Sequence, residues 1–247
     1  MRFRVAILAV AGLAFPAAAQ DMPTVLPNDY VLSDILNQQR IDAAIAHPSR
    51  PADSGRKRAA PTPRAVPASR ASTSYRPSPT VSARVRRQFL AAMNARIGAA
   101  KARQLAAALE RDDPVASWAQ IVASDGLRNG DVADALAAYW LLNWGMANGR
   151  EGNRTQILAV RDQVRAIIAA NAGQAGLNEA QRQEMAETWM LNFLIQHAAY
   201  TDAVKRGDRD TLRRLGDAAV ARFRSETRLD LRRLELGDTG FTPRAGT

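Results

Sequence analysis

An all-α fold is predicted for this chain: an irregular or orthogonal bundle of six to seven helices with no sheet, preceded by a disordered leader. Three observations predict it. From Val81 onward, apolar residues recur every three to four positions in one segment after another, the period of an amphipathic helix. Each segment is opened or closed by a capping or breaking residue. No stretch of useful length alternates apolar and polar residues, so no strand is expected.

The first helix carries Val85, Phe89, Leu90, Met93 and Ile97 at helical spacing, and the second carries Ala102, Leu105, Ala106 and Leu109. Asp113-Pro114 starts the third, an N-cap followed by proline at the first helical position, whose φ and missing N–H suit a helix start. Val115, Trp118, Ile121 and Val122 form its stripe, and Asp125-Gly126 stops it. Asn129-Gly130-Asp131 opens the most apolar helix, Val132 to about Ala147. Being apolar nearly all round, it is expected at the centre of the bundle. Asn153 with Gln156, and Asn178 with Gln181, make capping-box patterns for the next two helices. The former buries Ile157, Val160, Val164, Ile167 and Ile168 and ends at Gly173; the latter is the longest and stops at Gly207. The last begins near Asp208 or Asp210 and buries Leu212, Leu215, Ala219 and Phe223. Short connections imply antiparallel or steeply crossed neighbours. No fixed repeat is visible, which argues against a solenoid.

The predicted organisation has five parts. Residues 1–19 read as a secretory signal peptide: Arg2 and Arg4, an apolar run from Val5 to Phe15, then Pro16-Ala17-Ala18-Ala19 at the cleavage positions. The run is too short to span a bilayer as a helix. The protein is therefore expected to be exported, to the periplasm or as a secreted chain. Residues 20–46 hold a possible short helix, Val31 to Ile45. Residues 47–80 form a basic linker rich in Pro, Ser and Arg, with too few large apolar residues to offset its ordering entropy. The helical domain follows at 81–236, and 237–247 is a tail.

Composition narrows the chemistry. The absence of cysteine excludes disulfides, thiolate metal sites and cysteine nucleophiles. The net charge of +10 is unevenly placed: Arg50 to Arg87 holds ten bases against one acid, Asp53, whereas from Val81 onward 24 bases face 19 acids. The leader is expected to be drawn to an anionic envelope surface, with an attraction that salt weakens. Arg213, Arg214, Arg222, Arg224, Arg228, Arg232 and Arg233 alternate with Asp217, Glu226, Asp230 and Glu235, the pattern of a salt-bridged solvent face, so nucleic acid is not an expected partner. Val132 to Trp144 is too short for a membrane span and contains Asp134 and Asn143, so none is expected in the mature chain. The only histidines are His47, beside Pro48 in the linker, and His197. They have no paired-ligand spacing, and neither a metal nor a cofactor is expected.

Eight residues are candidates for binding. Asp134 sits in an apolar helix one turn past its start; it either stabilises that first turn, pairs with an arginine of another helix, or serves a site. Tyr139, Trp140, Asn143 and Trp144 follow on the same helix, packing in the core or lining a ligand groove. Glu184 and Glu187 stand three apart near the start of the long helix, a solvated face or a carboxylate pair, with Glu187 approaching the apolar side. His197 shares a face with Met190, Phe193 and Leu194 and reads first as a core or boundary histidine. No catalytic residue is assigned.

Asn129 to Tyr139 with Trp144 and Gly149, Leu177 to Glu184 with Glu187, and the terminal Gly240-Phe241 resemble an uncharacterised bacterial family of exported helical proteins, a domain of unknown function. The resemblance covers about Val81 to Phe241 and implies a helical domain after a signal peptide. It brings no activity, ligand or residue role. The leading expectation is a non-enzymatic helical binding or interaction protein with a cationic tether, its partner an envelope protein or an anionic envelope surface. The alternatives are a cell-wall-directed hydrolase using helix carboxylates and a carrier of a small apolar ligand.

Overall fold

The structure, a computed structural model, describes Ile45 and residues 72–170 and 177–244. The signal peptide, His47, the last three residues of the tail and most of the linker lie outside the described residues. So does the short helix of residues 31–45 apart from Ile45, which is helical and buried in the main core.

Seven α-helices appear in the described residues: α1 (Pro79–Ile97), α2 (Ala99–Arg111), α3 (Pro114–Val122), α4 (Val132–Asn148), α5 (Arg154–Ala170), α6 (Glu179–Arg206) and α7 (Arg209–Thr227). The starts of α3 to α7 are the predicted ones, whereas α1 begins at Pro79, ahead of the expected Val81. Asp113 caps α3 by accepting from Val115 N, and Asp131 caps α4 by accepting from Ala133 N. Asn178 and Gln181 close a complete capping box on α6. Gly149 and Gly207 end α4 and α6 in the left-handed conformation that glycine adopts without steric cost.

α4 is the central helix, as its all-round apolar surface requires, and twelve of its residues are buried. α5, α6 and α7 pack around it, and α3 packs on α6. Tyr139 of α4 lies 4.7 Å from the ring of Trp189 on α6 and 5.9 Å from that of Phe223 on α7. At Gly216, α7 passes so close to α4 that a Cβ there would meet Met146 O at 2.6 Å. A second, smaller core lies apart: Val81, Val85, Phe89 and Met93 of α1 and Leu105 of α2 close on Leu191 and Ile195 of α6.

Two departures from the expected fold occur. First, the chain is not purely helical. β1 (Leu234–Gly237) and β2 (Gly240–Pro243) form an antiparallel hairpin in register Leu234↔Pro243, Glu235↔Thr242, Leu236↔Phe241 and Gly237↔Gly240. Four-residue strands show too little alternation to read as strands, and their support comes from distant helices. Gln163 of α5 donates through Nε2 to Phe241 O and accepts from Phe241 N, both at 2.7 Å, and Trp144 Nε1 donates to Leu234 O at 3.0 Å. The predicted tail from 237 is therefore half of a packed hairpin. Second, described structure begins ahead of Val81. Tyr75 N donates to Gly130 O and Val132 N to Thr73 O, both at 2.9 Å, so the stretch around Ser74 lies antiparallel to the loop before α4. Tyr75 is buried there.

Candidate functional site

The eight sequence candidates do not converge on one cavity. They fall into three polar clusters, each tied to a helix start or a helix crossing.

The first cluster forms at the start of α4. Asp131 accepts from Ala133 N at 2.8 Å, from Thr73 Oγ1 at 3.0 Å and from Arg165 Nη2 at 2.8 Å. Asp134 has no exposed surface; it accepts from Arg128 N at 3.0 Å and Arg165 Nη2 at 3.2 Å. Burial, followed by the neighbouring Asp131 charge, holds its carboxyl above the ordinary aspartate value despite these donors. Asp134 is thus bonded to an arginine of another helix and to a backbone N–H of its own entry loop. Tyr75 OH donates to Asn129 Oδ1 at 2.8 Å and completes the attachment of the 73–75 stretch.

The second cluster lies between α1 and the first turns of α6. Glu187 is 3% exposed and accepts from Ser82 Oγ at 2.8 Å and Gln183 Nε2 at 2.7 Å. Burial is the largest influence on its carboxyl and raises its pKa; the hydrogen bonds and Arg86 act the other way. Gln183 also bridges the α1 entry, accepting from Ser78 N and donating to Ser78 O, each at 2.9 Å. Glu184 is buried and pairs with Arg84 at 3.1 Å. The expected solvated carboxylate face is therefore an inward face, because α1 lies across it. A depression with room for little more than a water molecule is lined by Ser82, Arg86, Asp113, Pro114, Val115, Glu187, Met190 and Leu191.

The third cluster is the crossing of α4, α6 and α7. Asn143 donates through Nδ2 to Tyr139 O at 2.8 Å and Gln196 Oε1 at 2.9 Å, and accepts from Arg222 Nη2 at 2.8 Å. Trp140 is buried edge-on to Phe223 at 6.3 Å, and Trp144 packs on Phe241 at 6.0 Å under the Arg150 guanidinium. These four positions line no described groove; they are core. His197 stacks on Phe193 at 5.4 Å, and burial lowers its pKa to about 4, leaving it neutral at physiological pH.

Thr73, Ser82, Arg165, Gln183, Gln196 and Arg222 take part in these clusters and were not candidates in the sequence. Gln183 and Gln196 had one visible signal: polar residues inside the buried face of a long helix need partners. Among the described residues, no group of three or more His, Asp or Glu is placed to hold a metal ion, and no helix is long and apolar enough to cross a membrane.

A helical bundle whose candidate polar residues bond to one another defines a structural class and no chemistry. Residues 3–244 match DUF6683, a family of unknown function, and the chain belongs to that family. The match extends well beyond the stretch from Val81 to Phe241 that carried the resemblance. No curated protein and no solved structure matches the chain.

Proposed function

We propose that this is an exported, non-enzymatic helical protein whose bundle binds a partner and whose cationic leader draws it to an anionic envelope surface. One observation carries the reading. The candidate carboxylates are spent within the chain: Glu187 on Ser82 and Glu184 on Arg84 of its own 78–84 segment, and Asp134 on Arg128 N and Arg165, beside Asp131, which holds Thr73. The 73–84 segment is the junction between the basic leader and the bundle. Backbone pairing to Gly130 and Val132 makes it a firm attachment, as a tether needs at its domain end.

The signal-like first nineteen residues and the ten-to-one excess of bases from Arg50 to Arg87 support the export and tether parts of the reading. The test keeps the full chain and replaces Arg50, Arg56, Lys57, Arg58, Arg64 and Arg70 by Gln. Wild type is expected to sediment with envelope fragments at low salt and to be released as salt rises, while the variant binds weakly at every salt concentration. Equal sedimentation of the two proteins would remove the leader from the mechanism.

A further inference from the structure

The excess positive charge does not stop where the leader ends. The helical hairpin α1–α2, residues 79–111, holds seven bases and one acid, Glu110, whereas residues 112–247 hold 17 bases and 18 acids. The bundle is thus electrically close to neutral, and its surplus sits on one hairpin.

The two groups of bases also differ in what they touch. Around α7 and the C-terminal hairpin, several arginines are paired with acids, Arg206 with Asp202 at 2.8 Å, Arg213 with Asp210 at 2.7 Å and Arg232 with Asp217 at 2.6 Å, while Lys205, Arg209 and Arg228 are exposed with no ion pair among the described residues. On the hairpin, Arg87, Lys101, Arg103 and Arg111 are exposed and have no ion pair or hydrogen bond among the described residues. Like charges gathered without counter-charges repel one another, and an external anion relieves that repulsion.

Ala91, Ala95, Ala99, Ala100 and Ala107 are exposed on the same two helices, so small side chains make up much of their solvent side. The aromatic residues of 50–111 are Tyr75 and Phe89, and both are buried, leaving nothing to stack on a nucleobase.

We propose that the exposed side of the α1–α2 hairpin docks on the phosphate headgroups of an anionic lipid bilayer. Dispersed, exposed bases on two adjacent helices fit a lattice of headgroups better than a single bound anion, which needs convergent donors. This deepens the proposed attraction to an anionic surface and rests on that reading. It assigns the surface contact to a folded element and its occupant to lipid.

The test uses full-length protein and vesicles of phosphatidylcholine with or without phosphatidylglycerol. Three proteins are compared by co-sedimentation: wild type, R87Q/K101Q/R103Q/R111Q, and the leader variant with its six bases replaced by Gln. Gln favours helix and all four hairpin sites are exposed, so thermal melts should match wild type. A fourth protein, R87K/R103K/R111K, keeps the charge and should bind as wild type does. Wild type is expected to bind only vesicles containing phosphatidylglycerol. The hairpin variant should bind them at least about tenfold more weakly, from four bases each contributing near a charged surface. Wild-type affinity in the hairpin variant, with loss in the leader variant, would overturn the hairpin assignment and leave the tether standing. Undiminished binding by both variants would overturn both. Equal binding to duplex DNA at the same salt, lost through the same four substitutions, would make the occupant a nucleic acid and overturn the lipid assignment.

Discussion

His197 and Glu187 are buried titratable groups with opposite linkage to stability. His197 is held near pKa 4 by burial, so between the ordinary histidine value of about 6.5 and 4 the unfolded chain binds a proton that the native state refuses. Stability should fall as pH drops through that window, by an amount on the order of 2 kcal/mol. H197F keeps the stack on Phe193 and should flatten this acid limb in melts followed by circular dichroism. An unchanged limb in the variant would assign it to another group. Glu187 has a raised pKa, so the native state holds its proton more tightly than the unfolded chain. Its contribution is present at low pH and is lost as pH rises from about 4.3 through the raised value. E187Q should abolish that loss, so that the fall in melting temperature from neutral to acid pH is steeper in the variant than in wild type. Asp134 is a fully buried carboxylate on α4. D134A leaves Arg128 N–H and the Arg165 guanidinium short of an acceptor, and should lower unfolding free energy by about 2–3 kcal/mol in urea titrations. Asp134 was legible as a buried or first-turn acid, since a carboxylate within an apolar run needs a partner. Its partners were not legible, because Arg165 lies on another helix and Arg128 contributes a backbone group.

The helices were legible as elements because each carries local evidence: an apolar period in all seven, and a capping residue at the starts of α3 to α7. The hairpin β1–β2 was not. Its strands are four residues long, and Gln163, 78 positions away from Phe241, supplies both hydrogen bonds that hold β2 to the bundle. Q163L should therefore release the hairpin while leaving helical content intact. The expected readout is faster amide exchange at Phe241 with unchanged far-ultraviolet ellipticity; protection equal to wild type would mean that strand pairing alone suffices. The α4–α7 crossing depends in turn on Gly216. Gly in a helix interior usually costs stability relative to Ala, yet here an added Cβ would strike Met146 O. G216A should destabilise by about 1–3 kcal/mol, the cost of overpacking, against the sign that helix propensity alone predicts. The glutamates of α6 teach the same lesson from the other side. Glu184 and Glu187 read as a solvated face until α1 is seen to lie across them.

In the whole molecule, the core is divided. The central cluster gathers around α4, while the α1–α2 hairpin closes its own small core against Leu191 and Ile195 of α6. Of the other helices, α1 packs chiefly on α6, and α2 folds back on α1. Native-state amide exchange should accordingly show α1 and α2 opening at lower free energy than α4; uniform protection across all seven helices would show one cooperative unit. L105A should lower the protection of α1 and α2 and leave α4 nearly unchanged. By itself, the sequence determined the helical class, the starts of α3 to α7, the central place of α4 and the basic bias toward the leader. These follow from local capping chemistry, hydrophobic period and counted charge, none of which needs a partner distant in the chain. Tertiary structure alone decided that the C-terminal residues pair as strands, that the candidate carboxylates face inward, and that the aromatic residues of α4 are core. Each of those outcomes depends on which helix lies across a given face. It also decided that Arg213 and Arg232 meet acids while Arg87, Lys101, Arg103 and Arg111 do not, because the placement of acids around a base is a property of the folded surface.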